Sequence, residues 1–377
     1  MRIAILATRY HINQHYWVKA LLNAGHTVEF YVSDSDSAEV YSALSPIIIP
    51  KTVRPKWQTN ILQLVQKMRG TTPQQQFNYE IDTEFLRDTL ARFNPEVVIV
   101  RDLFYPLSMA GFKVAKELNA PAIHYNQFPI ENREALPTRI LKRLKIVSDV
   151  RITPSRTTDI VRNELTNSWY VPLITDITYD VTKKTYLPQN NLRLLFVGKF
   201  KSKRKKHLLM LKAFADIAQR RPAHLTMVGS DTHSDPEYYS LILQKIKTLG
   251  IARAVTIRHD LSHEDMLRLY ASHDIFILPS THEPYAISPL EAMSYGLPIV
   301  LTESNGGKKV VDDGVTGYII PDNSADAIVS AVMNIADSKD RVRAMGMAAH
   351  ARKNEMYSPY SFLQHFYNVV TNLGIKQ

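Results

Sequence analysis

Cysteine is missing from all 377 residues. Its absence removes disulfides, thiolate metal sites and cysteine nucleophiles, and it fits a reducing compartment. Long apolar runs are missing too, and none approaches the roughly 18 residues that a membrane span needs. The first apolar stretch, Ile3 to Ala7, is too short for a signal-peptide core. The expectation is a cytoplasmic protein, soluble or peripheral on the inner face of the membrane. Internal repeats and low-complexity tracts are also lacking, which leaves a mixed globular chain.

What is present is ordinary in bulk and uneven in places. Apolar residues make up 45% and charged residues 22%, so a sizeable core can be buried. The length is a prior for two domains. A formal net charge of +10 makes polyanions or anionic lipid plausible neighbours. Six of the ten residues in "GKFKSKRKKH", 198 to 207, are Lys or Arg, and they follow the apolar run "LRLLFV".

Short apolar runs alternate with helical patterns along the chain. Strands are expected at 2–7, 27–32, 96–100, 121–125 and 150–153, and again at 192–197, 223–228, 254–258, 275–278 and 298–301. Stretches with i, i+3, i+4 apolar spacing lie between them, such as "HEDMLRLYAS", 263–272. Continuous apolar strands alternating with helices predict an α/β protein whose parallel sheets are covered on both faces. The pattern restarts after "VPLITDITYDVTKKTYLPQNN", 171–191, a polar stretch with no clear period, so the domain boundary is expected there. Doubly wound sheets bind ligands at the C-terminal ends of their strands. The basic decapeptide sits at such an end, which favours a bound phosphate group.

The most informative stretch is "PSTHEPYAISPLEAMSYGLPIV", 279–300. A helix is expected to open with Ser288 as N-cap, Pro289 in its first turn and Glu291 three after the cap, and to end at Gly296. Its N-terminus would face a loop ligand. Glu283 on the loop and Glu291 in the first turn would both reach that ligand. A capping box alone would explain Glu291 without any ligand.

This stretch resembles the E-x7-E signature of retaining GT-B glycosyltransferases, especially glycosyltransferase family 4. "VGKFKSKRKKHLLMLKAF", "LSHEDMLRLYASHDIFILPS" and "NGGKKVVDDGVTGYIIP" are similar to the segments around it, and "LLNAGHTVEFY" and "SDVRITPSRTTDIV" are similar more loosely. The resemblance implies a GT-B architecture of two Rossmann-like domains facing a central cleft. Their bounds would be 1–175 on the acceptor side and 176–355 on the nucleotide-sugar side, with a last helix in 356–377 crossing back to the first domain. It also implies a metal-independent, retaining transfer of a sugar from a UDP- or GDP-sugar, without a cofactor, to a glycan or lipid-linked acceptor.

Residue by residue, the resemblance implies that Glu283 lies beside the donor sugar and Glu291 binds the nucleotide ribose. The backbone of Ala286, Ile287 and Ser288 would meet the donor phosphate. Lys205, placed by the anchor "KAF" at 212–214, would contact the diphosphate with Lys199 or Arg204. Fixed cations of this kind stabilise a departing diphosphate. The other basic residues of the run, Lys201, Lys203 and Lys206, are expected to be solvated. His259, after the strand at 254–258, is counted on the donor side. The histidine the family often carries near the donor sugar falls at His124 or Gln127.

Several features depart from the family pattern. The loop after the first strand, "ATRYHINQHYW", has no glycine; Arg9, Tyr10 or His11 would line the acceptor side instead. Lys206 replaces the glycine that usually follows the family lysine, Tyr285–Ala286 replaces Phe–Gly, and "PLITD" replaces the hinge "PNG". "DSD" at 34–36 imitates a metal motif of another glycosyltransferase class, but it ends the second strand and is set aside. No aromatic interleaving supports nucleic acid as a partner.

Two basic segments suit an anionic membrane surface. In "PTRILKRLKIVSD", 137–149, a helical face of Ile140, Leu141, Leu144 and Val147 is flanked by Arg139, Lys142, Arg143 and Lys145. The second segment, 51–70, surrounds Trp57 with basic residues. A core-facing helix with a wet basic face explains 140–147 equally well. Two other functions stay open beside the transferase: a GT-B sugar-nucleotide epimerase, and a non-catalytic peripheral membrane or polyanion-binding protein.

Overall fold

The structure is a computed structural model. It describes residues 1–35, 42–53, 78–132, 134–201, 203–230 and 235–375. Asp36 and most of the basic segment around Trp57 lie outside the described residues. The chain divides into two compact units. One comprises Met1–Pro154, Thr158–Pro172 and Phe362–Gln377; the other comprises Ser155–Thr157 and Leu173–Ser361.

The first unit is built on an eight-stranded sheet, among the described residues, in the order β3-β2-β1-β6-β7-β8-β10-β9. The strands are β1 (Arg2–Ala7), β2 (Thr27–Val32), β3 (Ile47–Ile48), β6 (Val97–Arg101), β7 (Ala122–Tyr125), β8 (Arg151–Thr153), β9 (Arg162–Asn163) and β10 (Ser168–Tyr170). A separate antiparallel pair, β4 (Lys51–Val53) and β5 (Tyr79–Ile81), lies between β3 and β6 in the chain. All pairings of the main sheet are parallel except β9 with β10. Helices α1 (Ile12–Asn23), α2 (Thr83–Phe93), α3 (Pro106–Glu117) and α4 (Leu136–Arg143) connect the strands. Ile3 to Ala7 and Val97 to Val100 are buried without alternation because both faces of the sheet are covered.

The second unit carries, among the described residues, a six-stranded, all-parallel sheet in the order β13-β12-β11-β14-β15-β16. Its strands are β11 (Leu192–Val197), β12 (Ala223–Gly229), β13 (Val255–His259), β14 (Ile275–Leu278), β15 (Ile299–Thr302) and β16 (Gly317–Ile320). Its helices are α5 (His207–Arg220), α6 (Pro236–Thr248), α7 (His263–Ser272), α8 (Ser288–Ser294), α9 (Ala325–Ile335) and α10 (Lys339–Met356). Side-chain caps start several of them: Ser262 accepts from the Asp265 amide and Ser324 from that of Ala327. The chain order reverses between β11 and β14. The loops that leave those two strands, 198–206 and 279–287, therefore flank the switch point, where such sheets hold ligands.

The segment 171–191, expected as a polar linker, is packed. Tyr186 is buried and donates its hydroxyl to the Gly296 carbonyl at 2.9 Å. Lys184 is buried with Nζ 2.9 Å from the Ala271 carbonyl, closing the C-terminus of α7. Polar residues such as Lys184 and Tyr186 misled the periodicity because they meet specific buried partners. The last helix, α11 (Pro359–Asn372), places Phe362 in stacked contact with Trp17, centroids 5.1 Å apart. Tyr367 on the same helix hydrogen-bonds His26 at 2.8 Å.

Candidate functional site

The loop after β11 leaves through Gly198 and Lys199, makes a 3-10 turn at Lys203–Lys205, and enters α5 through Lys206 in a left-handed conformation. The loop after β14 runs from Pro279 to Ile287, with His282 also left-handed at φ 52°. The two loops are tied by the backbone: the Thr281 amide donates to the Arg204 carbonyl at 3.0 Å. Side chains then converge. Lys205 Nζ lies 2.8 Å from Glu283 Oε2, and Arg204 Nη2 lies 3.5 Å from the same oxygen. Lys205 and Glu283 are largely buried, whereas Arg204 keeps much of its side chain in solvent. A pair this sheltered is held by fixed geometry and little screened by salt.

Glu283 is held from behind as well. Its carbonyl accepts the Gly306 amide at 2.7 Å. A Cβ on Gly306 would fall 2.0 Å from the Pro284 carbonyl oxygen, so only glycine permits this approach. Asn305 steadies the turn by accepting from the Gly307 amide at 2.9 Å.

Helix α8 begins one residue earlier than expected. Ile287 is its cap and Ser288 already lies inside the helix, so Ser288 is not the N-cap. Glu291 does not complete a capping box. Its buried carboxylate instead accepts the Tyr270 hydroxyl at 2.8 Å. The amides of Leu290 and Glu291 close on the Ile287 carbonyl.

His207, at the start of α5, is fully buried among Phe196, Phe200 and Tyr238. Burial pushes its pKa down to about 4, against an opposing hydrogen bond with Gly198. The neutral ring donates from Nε2 to the Gly198 carbonyl at 3.2 Å and so fixes the start of the basic loop. His259 is half-buried at the end of β13; its Nε2 meets the Tyr239 hydroxyl at 2.9 Å and its ring packs on Phe200. Lys199 and Lys201 are exposed, and the side chain of Lys203 lies outside the described residues.

The remaining expected residues belong to the first unit. Gln127 sits just beyond β7, half-buried, with Nε2 3.3 Å from the Tyr125 hydroxyl. His124 is a correction. It is 2% exposed, packed edge-on against Phe112, and neither ring nitrogen has a hydrogen-bond partner. Burial, then Lys142 and Arg151, lower its pKa to about 3. A sealed neutral imidazole is a core group, not a catalytic one. Tyr10 is likewise buried, against Phe30, and burial raises its hydroxyl pKa. It cannot line an acceptor surface, whereas Arg9 and His11 are half-exposed. Asp34 of the "DSD" stretch is tied to Lys51 and Ser33.

The sequence analysis missed Tyr270, His207 and Gly306. Tyr270 is one tyrosine in an ordinary helical pattern, and His207 closes a basic run. The Gly306–Gly307 pair carried the one usable signal, a tight backbone approach.

Residues 180–352 match the family described as "Glycosyl transferases group 1". A D-inositol 3-phosphate glycosyltransferase of Corynebacterium aurimucosum is 25% identical over 245 residues, 63% of this chain and 53% of that protein. The chain spans about a third to a half of the length of the first curated relatives it matches. Among solved structures, a glycosyltransferase from Rickettsia africae is similar with a TM-score of 0.76 at 14% identity, covering 100% of this chain and 99% of that one. The Anabaena protein HepE, solved in complex with UDP and glucose, is similar with a TM-score of 0.69 at 14% identity, covering 99% and 100%. The fold is that of the GT-B glycosyltransferases, with two Rossmann-like parallel sheets.

Proposed function

We propose that the chain is a glycosyltransferase of the family-4 type, moving a sugar from a nucleotide-diphosphate sugar to an acceptor with retention of anomeric configuration and without a metal. The observation that carries the reading is the convergence of Arg204 and Lys205 on Glu283 at the switch point of the second sheet. Transfer breaks the bond between the anomeric carbon and the diphosphate oxygen; the electron pair leaves with the diphosphate, an acceptor hydroxyl oxygen bonds to that carbon, and its proton passes to the departing diphosphate. Two fixed cations and the amides at the start of α8, around Ala286, Ile287 and Ser288, are suited to that growing charge. Glu283, released from Lys205 as the diphosphate arrives, can accept hydroxyl hydrogens of the sugar. Glu291, aimed by Tyr270, is suited to a ribose.

Lys199 and His259 are assigned to the periphery of the donor site. Arg9 and His11 are assigned to the acceptor side in the first unit, and Gln127 to the role of the family histidine near the donor sugar. The UDP bound to HepE supports a UDP-linked donor, and the resemblance keeps a GDP-linked one beside it. A glycan or lipid-linked envelope acceptor, handled at the inner face of a membrane, completes the proposal. No helix among the described residues is long and apolar enough to cross a membrane.

A thermal-shift panel of nucleoside diphosphates and sugar nucleotides tests the reading, followed by nucleotide release with and without acceptor. A specific nucleotide at a hundredfold excess over its Kd should stabilise the fold by about 2.7 kcal/mol. If no member of the panel shifts the melt, the donor site is wrongly assigned. A new sugar nucleotide without transfer would identify an epimerase, and binding without turnover a non-catalytic protein.

A further inference from the structure

The sequence left helix α4 open between a core-facing helix with a wet basic face and a helix that lies on a membrane. Only part of the core-facing expectation holds. Leu141 and the following Val147 pack into the core of the first unit, and Thr138 is buried beside them. Lys142 is drawn in too: Nζ lies 3.0 Å from the Glu134 carboxylate and 2.9 Å from the Asp149 carbonyl. The helix stops at Arg143 because Lys145 turns left-handed, with φ 53°. The opposite stripe faces solvent. Leu136 is 65% exposed, Ile140 48% and Leu144 60%, and Ile146 follows at 40%. Arg139 and Arg143 share the same i, i+3, i+4, i+7, i+8 stripe and are exposed, as is Lys145 at its end.

We propose that this outward stripe of Leu136, Arg139, Ile140, Arg143 and Leu144, extended by Lys145 and Ile146, docks on an anionic lipid surface. Its chemistry asks two things of a partner: an apolar medium for the branched side chains, and negative charge within reach of three cations. A second copy meeting this one stripe to stripe offers the first and not the second. A two-fold contact here would set Arg139, Arg143 and Lys145 against their own counterparts, with no acidic residue among 136, 139, 140 and 143–146 to answer them. A bilayer of anionic lipid supplies both, with leucine and isoleucine at the acyl boundary and the cations at the phosphates. The surface lies within one unit and uses no residue of the donor site, so it stands or falls apart from the proposed transfer.

The test is co-sedimentation of the full chain with phosphatidylglycerol–phosphatidylcholine vesicles and with phosphatidylcholine vesicles alone. The parent should bind the first and not the second. The triple change Arg139→Gln, Arg143→Gln and Lys145→Asn should weaken binding roughly a hundredfold, at about fivefold per charge. Leu136→Ser, Ile140→Ser and Leu144→Ser together should also release the protein while leaving its charge intact; these exposed positions keep the test valid if the charge variant misfolds. Lys247→Gln, Arg253→Gln and Lys339→Gln, exposed cations of the other unit, control for bulk charge and should lose far less. Stabilisation by nucleoside diphosphate should be the same in all variants. The proposal is overturned if the parent ignores phosphatidylglycerol, if the control falls as far as the α4 variants, or if those variants sediment like the parent. It is equally overturned if gel filtration shows that they dissociate a dimer while vesicle binding is unchanged.

Discussion

Lys205 and Glu283 are 78 residues apart in the chain, yet Nζ and Oε2 lie 2.8 Å apart. Each is the other's counter-charge, and each is the group best placed to meet a different part of a nucleotide sugar. In the proposed transfer, diphosphate replaces Glu283 beside Lys205. Lys205→Ala should therefore weaken binding of a nucleoside diphosphate by roughly 1.5–3 kcal/mol, the worth of a charge-assisted contact, while nucleoside binding changes little. Isothermal titration with both ligands decides it. Equal losses would remove Lys205 from the phosphate, and a larger loss from Arg204→Ala would move the role to its neighbour.

Glu283→Ala should abolish transfer while donor affinity falls much less, since the carboxylate is assigned to the sugar and not to the diphosphate. Turnover and donor Kd are the two readouts. An unchanged turnover number with weaker donor binding would contradict that assignment.

Tyr270→Phe removes one hydroxyl and keeps the ring that packs near Tyr295. The buried Glu291 carboxylate loses this donor, which costs roughly 1–3 kcal/mol of stability. Nucleotide affinity should fall with it, because Glu291 is no longer aimed. A thermal loss without any change in nucleotide binding would make Tyr270 a purely structural residue.

Gly306→Ala and Gly307→Ala are adjacent changes with different expected outcomes. The first drives a methyl group against the Pro284 carbonyl, whereas the second meets the Asn305 side chain at 3.3 Å and the Tyr285 ring at 3.6 Å. Gly306→Ala should destabilise the protein by roughly 2 kcal/mol or more and depress transfer through the displaced Glu283 segment; Gly307→Ala should cost about 1 kcal/mol or less. Chemical unfolding and turnover, compared between the two variants, check this. Equal effects would show that the loop yields.

Acid should destabilise the fold. His124 is lowered to about 3, and His207 and His273 to about 4, each mainly by burial. A histidine near 6.5 in the unfolded chain binds a proton that the folded chain refuses. Stability is therefore fully present above about 6.5 and is lost as pH falls toward 4, by about 3 kcal/mol for each group with a shift of this size. His124→Leu removes one of these groups along with two unsatisfied nitrogens. It should flatten the acid limb of a melting-temperature profile and leave transfer intact. Loss of transfer in a well-folded His124→Leu protein would restore His124 to the catalytic list.

The strands were legible because a parallel sheet covered on both faces needs continuous apolar runs, as in "LRLLFV" and "IFIL". Helix α7 was legible from its period, which is local. The basic loop and the E-x7-E stretch were legible as motifs, since charge type and turn residues are written in order along the chain. Ser288 was misplaced by one residue because helix caps depend on backbone angles that composition does not set.

The sequence by itself determined the alternation of strands and helices, and with it the α/β class, through local burial patterns. Tertiary structure alone decided which charges meet. Strand order brings the loops after β11 and β14 together, and only then do Arg204 and Lys205 reach Glu283. It also decided that His124 is sealed, that Glu291 answers Tyr270 and not its own cap, and that Ile140 faces water while Leu141 does not. The physical reason is common to all four. Burial and pairing are properties of neighbours in space, and a residue's sequence neighbours do not determine who those are.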